Sequence, residues 1–578
     1  MAIPGKTMAS TAHVNMMTDT IIANLPAEGL RAIMRSLLAS HPEVTGAFER
    51  ETRSYIQESA LAALNSTGSV VNMNNLKETQ YIIRCMVGSG LCFQSLPLLS
   101  KLVVQGMDSE LNSAESESFL ASVDGDIVQT MTAVQKTLFV MKGVRKLSDD
   151  ENVLLETLYL ALVKCQTISR EANREYPYVR GLAATANVSG APQSTDIALE
   201  PTYFQEINAV PLPVEIQETF RLKDRQLPRI FSGLWQMSSP AWGAAPTSKI
   251  VSQFSKHIQG GFTAFDMADH YGDAEVIFGR FRSSYPHKDS IFAATKYCVF
   301  HPMEVSREVI RDNVSERCQR LQQAKIDLLQ FHWQFVSCVN ITCSSGLTQI
   351  QYDDKNYIGA LRYLAEDERV NMVGLCNFDT KHLEEVLDSG ITIHTNQIQF
   401  SLIDSRPTVQ MGQVCEKHDI KLLTYGTLVR FLPRVIWAIT DRCVIQCGGF
   451  LAEKWLNMPE PEIYDDSITP SQRKYLGMIR NWGGWTLFQE LLTVLKSIAT
   501  KHGVDISNVA TRWVLDFPYV GAVIVGARMG ISEHTDANLA SFGWSLDQQD
   551  QSEIEKILER SGRIEMFEKI GDCGGEYR

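Results

Sequence analysis

Side chains that can transfer protons are concentrated in the segment FDMADHYGDAE, residues 265–275. An apolar, strand-like run leads into it, and the carboxylate of Asp266 precedes the phenol of Tyr271 by five residues. Two interpretations fit this pattern. In the first, it is a polar loop in which Asp266 caps a helix and Tyr271 packs its ring. In the second, Tyr271 is an acid whose pKa, ordinarily about 10, is lowered by a nearby cation.

A lysine and a histidine at the ends of the next two predicted strands favour the second interpretation. Lys296 closes the strand that follows Tyr271 in sequence, and His332 closes the strand after that. Taken singly, Lys296 fits a solvated loop residue and His332 fits a core histidine. Because the reactive groups of an α/β barrel cluster just past its strand ends, we expect these side chains to converge with Asp266 and Tyr271.

From residue 228 onward, short apolar strands alternate with amphipathic helices. This alternation predicts a parallel sheet with crossover helices. No GxGxxG follows a strand, so a Rossmann domain has little support. The strand count fits a (β/α)8 TIM barrel, an α/β fold that we predict for residues 228–578. The predicted strands are 262–265, 291–294, 328–331, 372–375, 394–398, 421–424 and 521–525, and the helices between them include 248–259, 306–322, 358–368, 381–389, 408–417 and 486–502.

Together these motifs resemble the aldo-keto reductase superfamily over about residues 228–560. The resemblance implies a barrel that binds a nicotinamide dinucleotide, usually NADPH, and reduces a carbonyl group. It also implies that Tyr271 donates a proton, that Lys296 paired with Asp266 lowers the pKa of the Tyr271 phenol, and that His332 orients the carbonyl. The motifs are FDMADHYGDAE with Asp266 and Tyr271, ATK with Lys296, DLLQFHW with His332, and GLCNF with Asn377.

The same resemblance implies which residues hold the nicotinamide. Asn377 and Gln397 would bind its carboxamide, and Tyr425 would stack on the ring. Cys376 stands where the family often has a serine, so one carboxamide hydrogen bond is expected to be weaker or absent.

At the adenosine end, Arg528 falls where many members place a cation for the 2'-phosphate, which favours NADPH through a charge-assisted contact. An exposed residue at a helix start is the alternative for Arg528. His534 replaces a later arginine that is common in the family. The remaining predicted cofactor residues are Ser532 and Asn538.

The substrate pocket is predicted by the same analogy. Trp235 on the first strand and Trp333 directly after His332 would line it. Two aromatic walls favour an apolar or planar carbonyl compound. Segments 334–357 and 430–485 lie where the family varies its substrate loops.

The first 175 residues predict a separate all-α bundle without a convergent set of catalytic side chains. Apolar residues recur at helical spacing, and Ser148 with Glu151 fits a capping box. Five or six helices are expected: 26–40, 42–64, two within 75–105 that break near Gly88 and Gly90, 115–145 and 148–175. Self-association, docking to a protein partner, or covering the site of the barrel are the roles that we consider for it. Residues 176–227 predict a linker that adds extended structure around residues 203–222.

Composition excludes several classes of function. The formal net charge of −13 argues against binding nucleic acid. The twelve cysteines lack paired CxxC spacings, so no metal site is predicted. The N-terminus lacks a signal-peptide pattern, and charges interrupt every long apolar run, which predicts a cytoplasmic protein without membrane association.

We therefore expect an NADP-dependent enzyme that reduces an aldehyde, ketone or 2-oxo acid. The helical extension is unusual for the family and favours a dedicated biosynthetic step. The alternative is a regulatory or scaffold protein that senses NADP(H) and binds a partner through the bundle.

Overall fold

The fold was obtained as a computed structural model and is described for residues 25–65, 72–108, 114–140, 143–190, 207, 210–214, 218–238, 245–300, 303–333, 355–426, 449–465 and 468–575. Much of the two predicted substrate loops, at 334–354 and 427–448, lies outside these ranges, as do residues 191–206 of the predicted linker.

The N-terminal region is a helical bundle, as the sequence predicts. Its apolar residues form a core of their own, with Leu99, Leu158 and Leu162 fully buried. The predicted break is present, because one helix ends at Gly88 and Gly90 has a positive φ of 77°. The helices are α1 Ala27–Ser40, α2 Thr45–Asn65, α3 Met73–Gly88, α4 Cys92–Asp108, α5 Ala114–Leu138, α6 Asp149–Glu171 and α7 Val179–Ser189, and a hairpin of β1 Phe139–Val140 with β2 Gly143–Val144 follows α5.

Helix α7 lies where the sequence analysis placed the linker. It belongs to the bundle, since Gly181 sits so close to Ile127 on α5 that an added Cβ would come within 2.8 Å of that side chain. Just before it, the hydroxyl of Tyr176 donates to the carbonyl of Leu162 at 2.9 Å. The helix Val179–Ser189 therefore packs with the bundle, beyond the predicted boundary at residue 175.

The strands of the C-terminal region close into a parallel eight-stranded barrel, which confirms the predicted fold class. A short hairpin, β3 Thr219–Leu222 with β4 Arg225–Pro228, precedes it and packs Phe220 against Phe231 at the amino-terminal end. The barrel order is β10-β11-β12-β5-β6-β7-β8-β9. Its strands are β5 Ile230–Gly233, β6 Ala264–Asp266, β7 Phe292–Val299, β8 Leu328–Trp333, β9 Val373–Cys376, β10 Thr395–Gln399, β11 Lys421–Tyr425 and β12 Val520–Gly526.

Helices lie between the strands in sequence, and the first of them buries an apolar stripe. In the first of them, Ile250, Phe254 and Ile258 recur at helical spacing and are buried. Six helices have no counterpart among those named from the sequence: Ala274–Ser284, Pro470–Trp482, Ile506–Leu515, Thr535–Leu539, Gln548–Leu558 and Arg563–Ile570. The helices are α8 Thr247–Gln259, α9 Ala274–Ser284, α10 Arg307–Leu321, α11 Asn356–Glu366, α12 Thr380–Asp388, α13 Met411–Lys417, α14 Pro470–Trp482, α15 Gly484–His502, α16 Ile506–Leu515, α17 Thr535–Leu539, α18 Gln548–Leu558 and α19 Arg563–Ile570.

Side chains alternate between the inside of the barrel and the helix layer. On β8, Leu328 joins the core inside the barrel, whereas Leu329, Phe331 and Trp333 join the core beneath the helices. The alternation has a period of two residues, so Gln330 and His332 share the inner face with Leu328. Polar side chains therefore line the carboxyl-terminal end of the barrel, which we call its mouth.

Across the described helices, none combines the length and the apolar composition that a bilayer crossing requires.

A buried carboxyl in the bundle predicts a dependence of stability on pH. Asp124 on α5 accepts a hydrogen bond from the Gly181 N–H at 2.7 Å. Burial raises the pKa of Asp124 from 3.8 to about 7, and the positive charge of Arg180 offsets part of that rise. As the pH rises, Asp124 loses its proton in the unfolded chain at a lower pH than in the folded chain. The stability that Asp124 contributes below pH 3.8 is therefore lost as the pH rises to about 7.

We expect Asp124→Asn, whose amide oxygen still accepts from Gly181, to remove most of this pH dependence. In the wild-type chain the free energy of unfolding should fall by at most about 4 kcal/mol between pH 3.8 and about 7. Hydrogen exchange of the α7 amides measures it in both proteins. Equal pH dependence in the two would show that Asp124 is not responsible.

Candidate active site

A buried ion pair lies at the mouth of the barrel. Asp266 ends β6, and Lys296 lies on the neighbouring strand β7. The Lys296 Nζ donates to Asp266 Oδ2 at 2.6 Å and to the Met267 carbonyl at 2.9 Å. Burial alone would lower the pKa of Lys296, but the charge of the Asp266 carboxylate raises it above its ordinary value. Lys296 therefore remains a cation inside the barrel.

The second oxygen of Asp266 is held by two amides that the sequence analysis did not assign to this role. Gln330 Nε2 donates to Asp266 Oδ1 at 2.9 Å, and Gln397 Nε2 donates to the same oxygen at 2.8 Å. The Gln397 amide also donates to Gln330 Oε1 at 2.9 Å. These hydrogen bonds fix the orientation of the Asp266 carboxylate.

Tyr271 lies beside the lysine and is 8% exposed. Lys296 Nζ is 5.0 Å from the centroid of its ring. Burial raises the pKa of Tyr271, and the charge of Lys296 opposes that rise only in part. The sequence motif predicts a lowered pKa for Tyr271, but the loss of hydration exceeds the attraction of the cation. Tyr271 is consequently protonated at neutral pH, which is the state that a proton donor requires.

His332 lies on the inner face of β8, two residues beyond Gln330 and thus about 7 Å nearer the mouth. It is 7% exposed. The ring of Phe300 lies 5.9 Å from that of His332 and 5.1 Å from that of His270. The structure thus brings Asp266 and Lys296 into contact beside Tyr271, with His332 above them on the adjacent strand.

The loop that carries Tyr271 is fixed by charged groups beneath it. Gly272 has a φ of 60°, a conformation that favours glycine. Arg320 donates through Nη2 to the Gly272 carbonyl and through Nε to Glu275 Oε2, both at 2.6 Å. Thr295 donates to the other oxygen of Glu275. Glu275 therefore supports the loop.

Asp269 has the same supporting role. Its carboxylate, His270 and Cys298 place ligand atoms within 4.8 Å of one another, a spacing that a metal ion could bridge. However, Asp269 Oδ2 accepts from the Cys298 N–H at 2.9 Å and lies 3.4 Å from the Arg317 guanidinium. Despite burial, the hydrogen bond from His270 and the charge of Arg317 hold the pKa of Asp269 at about 2. Since Arg317 already supplies the positive charge, we assign no metal to this group.

The residues predicted to bind a nicotinamide lie at neighbouring strand ends. The Tyr425 hydroxyl donates to Asn377 Oδ1 at 2.8 Å, so a phenol ring and an amide are adjacent. That pair has the chemistry needed for the flat ring and the carboxamide of a nicotinamide. Gln397 differs from expectation, because its amide nitrogen is engaged by Asp266 and Gln330. Burial raises the pKa of Cys376 to about 12, so its thiol is protonated.

The turn after β12 carries the residues predicted for the adenosine phosphate. Arg528 is half-buried there, and the Ser532 N–H donates to its carbonyl at 3.2 Å. Gln253 on α8 fixes the turn by accepting from the Gly530 N–H and donating to the Ser532 carbonyl. Asn538 is buried within α17. A cleft of about 640 Å³ beside this turn is lined by residues that include Lys249, Lys256, Ser532 and the acidic Glu533.

The two tryptophans predicted to line one pocket are not brought together. Trp235 lies just past β5 and is 41% exposed. Trp333 is 2% exposed and packs beneath the helices, with its ring 5.5 Å from that of Phe331. The alternation along β8 places Trp333 on the opposite face from His332, away from the mouth.

Comparison with known proteins gives a consistent result for the barrel. The model of the "Aldo/keto reductase family" matches residues 229–432 and 446–559 and leaves the helical bundle unmatched. The aldo-keto reductase YhdN of Bacillus subtilis is 23% identical over 345 residues, covering 58% of this chain and 90% of that protein. Flagellar radial spoke protein 5 of Chlamydomonas reinhardtii is 28% identical over 205 residues, 34% of this chain and 35% of that protein. The solved glycerol dehydrogenase AKR11B4 of Gluconobacter oxydans superposes with a TM-score of 0.46 at 21% identity, covering 60% of this chain and 96% of that one.

Proposed function

We propose, from the premise that the chain belongs to the aldo/keto reductase family, that it uses NADPH to reduce an aldehyde, ketone or 2-oxo acid to an alcohol. One observation carries the proposal: the buried Lys296–Asp266 pair lies beside a protonated, buried Tyr271. A neutral phenol next to a fixed cation can give its proton to an oxygen that gains negative charge.

Each residue of the site has a separate role in carbonyl reduction. Tyr271 transfers its hydroxyl proton to the carbonyl oxygen as that oxygen becomes an alkoxide. The Lys296 cation, 5.0 Å from the Tyr271 ring centroid, stabilises the phenolate that remains. His332, nearer the mouth, orients the carbonyl by hydrogen bonding. Gln330 and Gln397 hold the Asp266 carboxylate in the orientation in which it pairs with Lys296.

A bound nicotinamide dinucleotide supplies the hydride for the carbonyl carbon. Asn377 and Tyr425 would hold its nicotinamide end, and Arg528 with Ser532 and Asn538 would hold the adenosine phosphate. The burial of Lys296 and Asp266 keeps water away from their charges, so electrostatic effects in the site are strong.

We expect Arg528→Gln to weaken NADPH binding selectively. A hydrogen bond to a charged group contributes about 1.5–3 kcal/mol, so the KM for NADPH should rise roughly 10- to 150-fold. The KM for NADH, which lacks the 2'-phosphate, should change little. Steady-state kinetics with both cofactors measures the two effects, and equal changes in both KM values would contradict the assignment of Arg528.

The experiment that tests the proposed function mixes the purified full chain with NADPH, or with NADH, and a panel of carbonyl compounds. The panel contains aliphatic aldehydes, aromatic aldehydes, ketones and 2-oxo acids. Loss of reduced-nicotinamide absorbance that depends on the carbonyl, with the alcohol identified as the product, supports the proposal. Binding of NADPH without reduction of any panel member would count against it.

One observation favours a second function, partner binding by a cofactor-sensing protein. No residue of α1 is buried, and its apolar side chains Ile33, Met34 and Leu37 are 44–46% exposed. An apolar helix face of this kind fits a protein partner. The name of flagellar radial spoke protein 5 places that relative in a larger assembly. A chain that binds NADPH, reduces no carbonyl and retains a stable partner through residues 1–175 would support this second function.

A further inference from the structure

The helical bundle packs directly on the catalytic loop, residues 266–275. Helix α5 lies against the loops that follow β6 and β7 at the mouth of the barrel. Near its middle, Val128 Cγ1 would lie 3.5 Å from a Cβ added to Gly272, the residue after Tyr271. Two turns later, the Lys136 ammonium lies 6.0 Å from the centroid of Phe300, whose ring contacts His332. The bundle therefore covers the part of the barrel where the reactive side chains lie.

A bidentate ion pair joins the two regions at the same place. Arg180, in the first turn of α7, donates through Nε to Asp273 Oδ2 at 2.8 Å and through Nη2 to Asp273 Oδ1 at 2.6 Å. The two side chains are only 7% and 9% exposed. Paired in this way, the planar guanidinium fixes both the position and the orientation of the carboxylate. A buried pair of this kind persists only with good geometry, because each charge has lost its hydration.

Arg180 is held firmly on the side of the bundle. The next residue, Gly181, donates its N–H to Asp124 on α5 at 2.7 Å. Its Cα packs so tightly against Ile127 that no larger residue fits. The first turn of α7 is thus attached to α5, the helix that contacts the loops after β6 and β7.

On the side of the barrel, Asp273 belongs to the same turn as Tyr271. The Ala274 N–H donates to the Tyr271 carbonyl at 3.1 Å, and the Val276 and Ile277 N–H groups donate to the Asp273 carbonyl at 2.9 and 3.0 Å. Asp273 consequently links the Tyr271 turn to the start of α9. Arg320 holds this turn from beneath, and Arg180 holds it from the bundle.

We infer that Arg180 is a positioning residue for Tyr271, which makes the helical bundle a part of the active site. The inference rests on the proposed reductase function, since Tyr271 is the proton donor in it. A displacement of about 1 Å in a reacting group can slow a reaction by about 100-fold. The Arg180–Asp273 ion pair, which holds the Tyr271 turn, should therefore affect the rate. The alternative is that the pair only attaches the bundle to the barrel.

The test uses the full chain with Arg180→Gln combined with Asp273→Asn, which leaves no unpaired buried charge. Arg180→Lys is the conservative variant, since it keeps the charge but loses the bidentate geometry. The control combines Arg84→Gln with Asp126→Asn, a pair within the bundle in which Arg84 Nε lies 2.8 Å from Asp126 Oδ1. Each protein is assayed for the number of NADPH sites, kcat, KM, the pH profile of kcat, and hydrogen exchange of the amides in residues 267–276.

For the double variant at 180 and 273 we expect one NADPH site per chain, a kcat lowered at least about tenfold, and faster exchange of the loop amides. The pH profile of kcat should shift, because the surroundings of the Tyr271 phenol change. Arg180→Lys should lie between this variant and the wild type, and the control should remain within about twofold of the wild type.

Two results would overturn the inference. One is unchanged exchange of the loop amides, and the other is a kcat that falls only in proportion to the number of NADPH sites, with an unchanged pH profile. If the wild-type chain reduces no carbonyl, the proposed function fails instead. Exchange of the loop amides then still decides whether Arg180 fixes the turn.

Discussion

Replacing Tyr271 with phenylalanine should lower kcat about 1,000-fold while leaving NADPH binding intact. The change removes one oxygen from a residue that is 8% exposed, so packing of the ring is preserved. What is lost is the proton for the carbonyl oxygen, and general acid catalysis contributes about 100- to 10,000-fold. Single-turnover measurements at saturating NADPH separate this chemical step from binding and product release.

Tyr297→Phe is the matched control for this variant. Tyr297 is 6% exposed on β7, and its hydroxyl donates to the Met303 sulfur at 3.2 Å. It therefore loses the same atom from a buried tyrosine outside the proposed proton path. We expect a kcat within about twofold of the wild type. Equal losses in the two variants would show that the effect of Tyr271→Phe is structural.

Lys296→Met should abolish measurable reduction and also destabilise the barrel. The variant leaves the Asp266 carboxylate buried without its cation, which costs about 3–5 kcal/mol. It also removes the positive charge that stabilises the phenolate of Tyr271. Urea unfolding and steady-state kinetics measure the two consequences on the same protein.

A second variant separates these two effects. Lys296→Met combined with Asp266→Asn removes the buried negative charge, and the new amide oxygen still accepts from Gln330 or Gln397. We expect most of the stability to return and activity to stay absent. Recovery of activity together with stability would contradict the electrostatic role of Lys296.

The positions of the reactive residues were predictable because they follow from strand ends. Lys296 and His332 close successive apolar strands, and parallel strands bring their carboxyl ends to one edge. The same alternation could have placed Trp333 correctly, since neighbours on a strand point to opposite faces. It also points to Gln330, two residues before His332, as a side chain inside the barrel.

Other features depend on tertiary packing and have no local pattern. The direction of the Tyr271 pKa follows from the burial of its side chain, which the segment FDMADHYGDAE does not encode by itself. Arg180 and Asp273 are 93 residues apart, and either alone fits an exposed charge. Helix α7 has the small-residue composition of a linker, and its helical state depends on packing against Ile127.

The central claim is that this barrel moves a hydride from a reduced nicotinamide to a carbonyl carbon while Tyr271 supplies the proton. The most direct measurement uses NADPH with deuterium at both positions of nicotinamide C4, a reducible carbonyl compound, and mass spectrometry of the alcohol. We predict that the wild-type product carries one deuterium on the former carbonyl carbon and that Tyr271→Phe forms almost none. Stoichiometric binding of NADPH without a labelled alcohol from any carbonyl class would contradict the claim.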